Sequence, residues 1–135
     1  IAETSGLYSH KPHLLLLLTE LFNNALEHGV LDLDSSLKEE SDGLVNYYSE
    51  REKRLKSYPQ GRVKIQIIHK LLTTGGRLSF IVSDSGEGYD YQQFVASAAE
   101  ENHGRGLSLI HKLCENVNFS DNGRCIEAAY AYTKD

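Results

Sequence analysis

The apolar positions of this chain fall into blocks with two different periods. From His13 the run H-L-L-L-L-L-T-E-L-F-N-N-A-L-E-H-G is apolar nearly all round and has the length of a helix, with Gly29 placed as a C-terminal cap. Its polar residues Glu20, Asn24 and Glu27 are spaced i, i+4 and i+7, so they form one stripe. A helix with so little solvent face is expected to be buried, which turns the stripe toward a cavity. Val63 to Leu71 alternates as a strand, Arg77 to Ser83 is rich in β-formers, and Thr73-Thr74-Gly75-Gly76 between them predicts a hairpin turn. After Asp84 comes a glycine-bearing loop, then a weakly helical stretch from Tyr91 to Glu101. Gly106 to Glu115 resumes a helical period through Leu107, Ile110 and Cys114. Val117 to Ser120 and Cys125 to Tyr132 flank Asp121-Asn122-Gly123, a second hairpin. Residues 1–12 carry no readable pattern.

Residues 32–60 differ from the rest. Charge is dense there, and Ser41-Asp42 can cap a helix whose apolar side would hold Leu44, Tyr48 and Leu55. Pro59 and Gly61 end this excursion. A solvated connection is the expected reading, while Tyr47, Tyr48 and Tyr58 leave room for a partner surface. The order helix, excursion, two strands, loop, helix, two strands is most economically satisfied by helices on one face of a mostly antiparallel sheet.

With 135 residues, 40% of them apolar and 24% charged, the chain is one globular domain that can bury a core. Fourteen Lys and Arg against nineteen Asp and Glu leave no basic surplus for a duplex, so nucleic acid is not an expected partner. The longest apolar run, Leu14 to Leu18, is far short of a membrane span, and no secretory signal opens the chain. Cys114 and Cys125 fit no metal spacing and no disulfide framework. These features predict a cytoplasmic domain. The absence of methionine, even at position 1, suggests a piece excised from a longer protein.

Three islands carry chemistry. In the first, Glu20 and Asn24 lie one helical turn apart: a carboxylate can take a proton or orient a nucleophile, and a neutral amide oxygen can ligate Mg²⁺ beside phosphates. In the second, Asp84-Ser85-Gly86-Glu87-Gly88 follows a hydrophobic strand. A carboxylate there can accept from an exocyclic amine while glycines let backbone approach a flat ligand, although a plain β-turn would read the same. In the third, His103-Gly104-Arg105-Gly106-Leu107 opens a helix, whose free N–H groups and dipole form a phosphate seat. Arg105 can add a charged contact to a phosphate or face a protein. No G-K-[ST] follows, so this is not a P-loop. None of the six histidines has zinc-ligand spacing; His28 is read as packing at the helix end and lying near the site.

In this order the islands resemble the GHKL family of ATPases and kinases, over about residues 14 to 132. The resemblance implies an α+β two-layer sandwich, the Bergerat ATP-binding fold, with a mostly antiparallel mixed sheet, helices on one face, and its first strand and helix missing. It implies ATP and Mg²⁺ as cofactors. Glu20 would be the general base, Asn24 the metal ligand and Asp84 the acceptor for the adenine amine; Gly86 and Gly88 would shape the base pocket. Gly104, Arg105, Gly106 and Leu107 would seat the phosphates, with 89–103 as a lid. Asn24-Ala25 matches the family's N-A pair, which favours Asn24 over Asn23.

Histidine kinases place a lysine three residues after that asparagine, where this chain has Glu27. E-x-x-x-N-A-x-x-H-G, from Glu20 to Gly29, is similar instead to the anti-sigma factor serine kinases. The branch implies phosphorylation of a serine on a small anti-anti-sigma (STAS) protein, a sigma or anti-sigma factor as a further partner, and homodimers. The long excursion resembles the variant found as C-terminal module of receiver–phosphatase fusions. A histidine kinase catalytic domain and a non-catalytic sigma-binding module are the alternatives. Gly123-Arg124-Cys125, where relatives often read G-T, leaves one phosphate contact open.

Overall fold

A computed structural model describes residues 7–33, 43–57, 59–87 and 105–134. Helix α1 spans Lys11–Asn23, entered through a tight turn at Tyr8–His10, with Pro12 in its first turn where a missing N–H costs nothing. Leu7, in the stretch that showed no pattern, is fully buried. Helix α2 spans Gly43–Ser57 and α3 Arg105–Leu113. The strands are β1 (Val63–Leu71), β2 (Gly75–Asp84), β3 (Asn116–Ser120) and β4 (Cys125–Thr133). They form one sheet in the order β1-β2-β4-β3, and all three pairings are antiparallel.

Both predicted hairpins are present. Leu72 N–H donates to the Gly75 carbonyl at 2.9 Å, closing the first around Thr73-Thr74, so Gly75 and Gly76 lie in β2 rather than in the turn. The second turns at Asp121–Gly123, with Asn122 (φ 57°) and Gly123 (φ 86°) in the left-handed region that an Asn-Gly pair tolerates. The stretches 34–42 and 88–104 lie outside the described residues, and with them the expected helix over 91–101.

The core forms where the buried stripe of α1 meets one face of β2 and β4. Leu14, Leu17, Leu21 and Ala25 pack with Leu78, Phe80 and Val82 and with Ile126, Ala128 and Tyr130. The register sets Leu78 opposite Tyr130, Phe80 opposite Ala128 and Val82 opposite Ile126, so all six point to the helical layer. Ile110 of α3 completes that layer. Ile65 and Ile67 of β1 sit opposite Val82 and Phe80 and therefore on the same face, yet each is 40% exposed at this edge of the sheet. At the opposite end of the sheet from Asp84, His10 fastens the start of α1 to β4. Its Nε2 donates to the Thr133 carbonyl at 3.1 Å, which leaves Nδ1 to accept from the Tyr130 hydroxyl at 2.7 Å. Among the described residues no helix is long and apolar enough to cross a membrane.

The excursion folds back. Its helix does not present Leu44, Tyr48 and Leu55 to the protein: Leu44 and Tyr48 are 56% and 55% exposed, and Leu55 is exposed too. The buried residue is Tyr47, at 0%, which joins Leu31 and Leu33 in a second small core flanked by Leu26 and Val30. Apolar spacing favoured the larger stripe, but a hydrogen bond from Tyr47 decides which side docks.

Candidate functional site

The second island meets the helix one turn past the first, at Gly29, where α1 runs on beyond Asn23. Instead of stopping at Gly29, the helix widens into a π-helical turn over Asn24–Val30, marked by Leu31 N–H reaching back to the Leu26 carbonyl at 2.9 Å. Gly29 is therefore not a left-handed cap; the one described glycine with positive φ is Gly123. A Cβ on Gly29 would lie 2.4 Å from Asp84 Oδ2, and one on Gly86 would lie 2.1 Å from the Gly29 carbonyl oxygen. Both glycines are required by this close approach of the helix end to the loop after β2.

Asp84 is held from several sides. Its Oδ1 accepts from Gly86 N–H at 2.8 Å, and its own N–H donates to the Arg124 carbonyl at 2.9 Å. Ser85 is pinned next to it: its N–H donates to the Arg62 carbonyl at 3.0 Å, and its Oγ accepts from Arg62 N–H at 2.8 Å. Burial pushes the Asp84 carboxyl above its ordinary value, against the lowering effect of the Gly86 N–H and the Arg124 charge. Such a group is a fixed, partly desolvated acceptor, suited to an amine donor on a flat ligand. The departure at Gly123-Arg124-Cys125 thus brings Arg124 beside Asp84.

One turn before this junction, Asn24 is 7% exposed and Glu20 is half-buried, and their i, i+4 spacing puts them on one face. Among the described residues no group of three or more His, Cys, Asp or Glu is placed to hold a metal ion. A neutral amide oxygen suits Mg²⁺, which keeps waters and takes its remaining ligands from phosphates. The third island is described in part: Arg105, Gly106 and Leu107 form the first turn of α3, so a helix does open there, but their side chains lie outside the described residues. Gly88 and Gly104 lie outside them too.

The third member of the α1 stripe does not face a cavity. Glu27 is 8% exposed, and its carboxylate is engaged by α2: Tyr47 Oη donates to Oε1 at 2.5 Å and Arg51 Nε to Oε2 at 3.0 Å. Arg54 Nη1 donates to the carbonyls of Leu31 and Asp32 at 2.7 and 2.6 Å. His28 Nδ1 donates to the Leu33 carbonyl at 2.7 Å, a packing role at the helix end. Sequence reasoning missed Tyr47, Arg51 and the contact that explains Gly29. The available signal was an acid embedded in an apolar helix, with a Tyr-x-x-x-Arg pair in the segment that follows.

The family model of the histidine kinase-like ATPase domain matches residues 9–130, nearly the whole described fold. No curated protein and no solved structure matches the chain. The chain belongs to the histidine kinase-like ATPase domain family, within the GHKL superfamily of ATP-binding kinases and ATPases.

Proposed function

We propose that this domain is a Mg-ATP-dependent serine protein kinase of the anti-sigma type, acting in the cytoplasm on a small anti-anti-sigma (STAS) protein. The observation that carries the branch is Glu27. In the histidine kinases that position is a lysine reaching the phosphates, whereas here it is an acid buried against Tyr47 and Arg51, which occupy its two carboxylate oxygens. The site would therefore rely on Asn24, and on Gly104 to Leu107, for the phosphate end of the nucleotide.

In this reading Asp84 accepts from the adenine amine, with Gly86 and Gly88 letting the ring lie against backbone. Mg²⁺, held by the Asn24 amide oxygen together with the phosphates, supplies charge neutralisation when bound. Glu20 orients the acceptor serine and takes its hydroxyl proton. The serine oxygen then forms a bond to the γ-phosphorus, the bond from that phosphorus to the bridging oxygen breaks, and ADP leaves carrying the electron pair.

The test is transfer from γ-labelled ATP into a STAS protein, followed by acid and alkali treatment of the product. Label that survives acid and is lost in alkali identifies phosphoserine. Label lost in acid assigns the domain to the histidine kinases, and ATP binding without any transfer assigns it to the non-catalytic modules. Glu20→Ala is expected to abolish transfer and spare ATP binding; transfer at the parental rate would refute its role as base.

A further inference from the structure

We infer that Glu27, gripped by Tyr47 and Arg51 of the excursion helix, is a positioning residue for the base end of the nucleotide pocket, so that α2 serves as a clamp on adenine recognition. The inference deepens the ATP-binding reading above and rests on it.

The argument starts from what holds each half of the π-helical turn. Its first half is secured by the main core, through Leu21 and Ala25 on either side of Asn24. The second half has no place in that core. Leu26 and Val30 pack on the small cluster of Leu31, Leu33 and Tyr47. Beyond that cluster, the polar grip of α2 includes the Tyr47 and Arg51 bonds to Glu27 and the Arg54 bonds to the two carbonyls that follow the turn. Gly29 lies two residues past Glu27, in this second half, and its backbone is in van der Waals reach of Asp84 and Gly86. A displacement of the turn therefore moves the surface against which Asp84 is set.

The chemistry of the grip suits a fixed strut. A buried carboxylate that loses a donor keeps the cost of its desolvation, so the two bonds to Glu27 resist opening. Burial, and next the bond to Glu27, push the Tyr47 phenol far above its ordinary range, so it stays a donor through the physiological pH range. Arg51 Nε approaches Oε2 from a side chain that is only 26% exposed, where solvent screens a charge pair incompletely. The strut acts on Asp84 through backbone packing and touches no nucleotide itself.

A purely structural role and a positioning role are separated by comparing ATP with inosine triphosphate, which lacks the exocyclic amine. Affinities for both are measured by calorimetry on the parent chain and on Tyr47→Phe, Arg51→Ala and Arg51→Lys, at a temperature where melting curves show each folded. The parent is expected to prefer ATP by roughly tenfold or more, the worth of a hydrogen bond to a charged acceptor. Tyr47→Phe and Arg51→Ala should lose most of that preference while still binding inosine triphosphate near the parental level, and Arg51→Lys, which keeps the cation, should recover part of it. Should Tyr47→Phe unfold the chain, the ratio is read on Arg51→Ala, whose side chain is partly exposed. Unchanged affinities, or an equal fall for both nucleotides, would overturn the clamp. A parent that binds neither nucleotide, or both alike, would instead overturn the assignment of Asp84 to the adenine amine and take the clamp with it.

Discussion

Adding a single methyl group at Gly29 tests whether the helix end and the Asp84 loop form one site. The new Cβ would stand 2.4 Å from Asp84 Oδ2 and 2.5 Å from its Cγ, where ordinary contact begins at 3.4 Å. The carboxyl must therefore retreat by about 1 Å, enough to break its 2.8 Å bond from Gly86 N–H. Overpacking of this kind costs about 1–3 kcal/mol. Gly29 sits in a helical turn without a left-handed φ, so the same change recovers about 0.5–1 kcal/mol of helix propensity. Stability should thus fall by at most about 2.5 kcal/mol, no more than several degrees in a melting curve. Binding should suffer more, because a displaced Asp84 loses a charged hydrogen bond worth about 1.5–3 kcal/mol, or ten- to hundredfold in the Kd for ATP. Calorimetry and thermal melts on Gly29→Ala give both numbers. An ATP affinity within about twofold of the parent's, in a folded variant, would refute the placement of Asp84 in the base pocket.

Asp84→Asn should behave in the opposite sense on stability. A carboxyl with a raised folded-state pKa costs stability once ionised, a cost absent below the unfolded value of about 3.9 and fully present above the folded one. The Asn variant should therefore melt no lower than the parent at neutral pH and yet lose ATP. In the parent, affinity should decline with falling pH from above the ordinary carboxylate range; a pH-independent affinity in the parent would contradict this. Within the leucine run, Leu17→Ala should cost about 2.7–5 kcal/mol in urea unfolding because the side chain is fully buried, whereas the exposed Leu15→Ala should stay within about 0.5 kcal/mol. Equal losses would mean that the helix is rotated from the described orientation. Burial pushes the Cys114 thiol up to about 11, so at mildly alkaline pH it should alkylate about two orders of magnitude more slowly than a free thiol. Mass spectrometry of timed samples checks this, and labelling at the free-thiol rate would show the site to be open.

What could be read from the residues was whatever repeats locally. Alternation in Val63 to Leu71 and the Asn122-Gly123 pair specified two hairpins, and the leucine spacing specified α1, because those signals depend on neighbours a few positions away. The π-helical turn was invisible, since hydropathy does not distinguish one extra residue per turn at a helix end. The side on which α2 docks was misread for a similar reason: Tyr47 and Tyr48 are adjacent and equally apolar, and a hydrogen bond to Glu27 from far along the chain decides between them. Asp84, Glu20 and Asn24 were found as islands, and the structure brings the helix end to the Asp84 loop; why Gly29 must be a glycine needed the contact itself.

The tie from His10 to Tyr130 and Thr133 has a consequence for how the fold is assembled. Leu78, Phe80 and Val82 are closed on one side by α1, which precedes them in the chain, and on the other by β4, which follows them. Most of the favourable burial thus rests on pairings of large sequence separation, whose loop-closure entropy must be met before they stabilise anything. No segment ending before β4 contains a complete core, and a nascent chain halted there would show its apolar sheet face to water. Synthesis of this domain, in other words, postpones its folding until β4 has emerged from the ribosome.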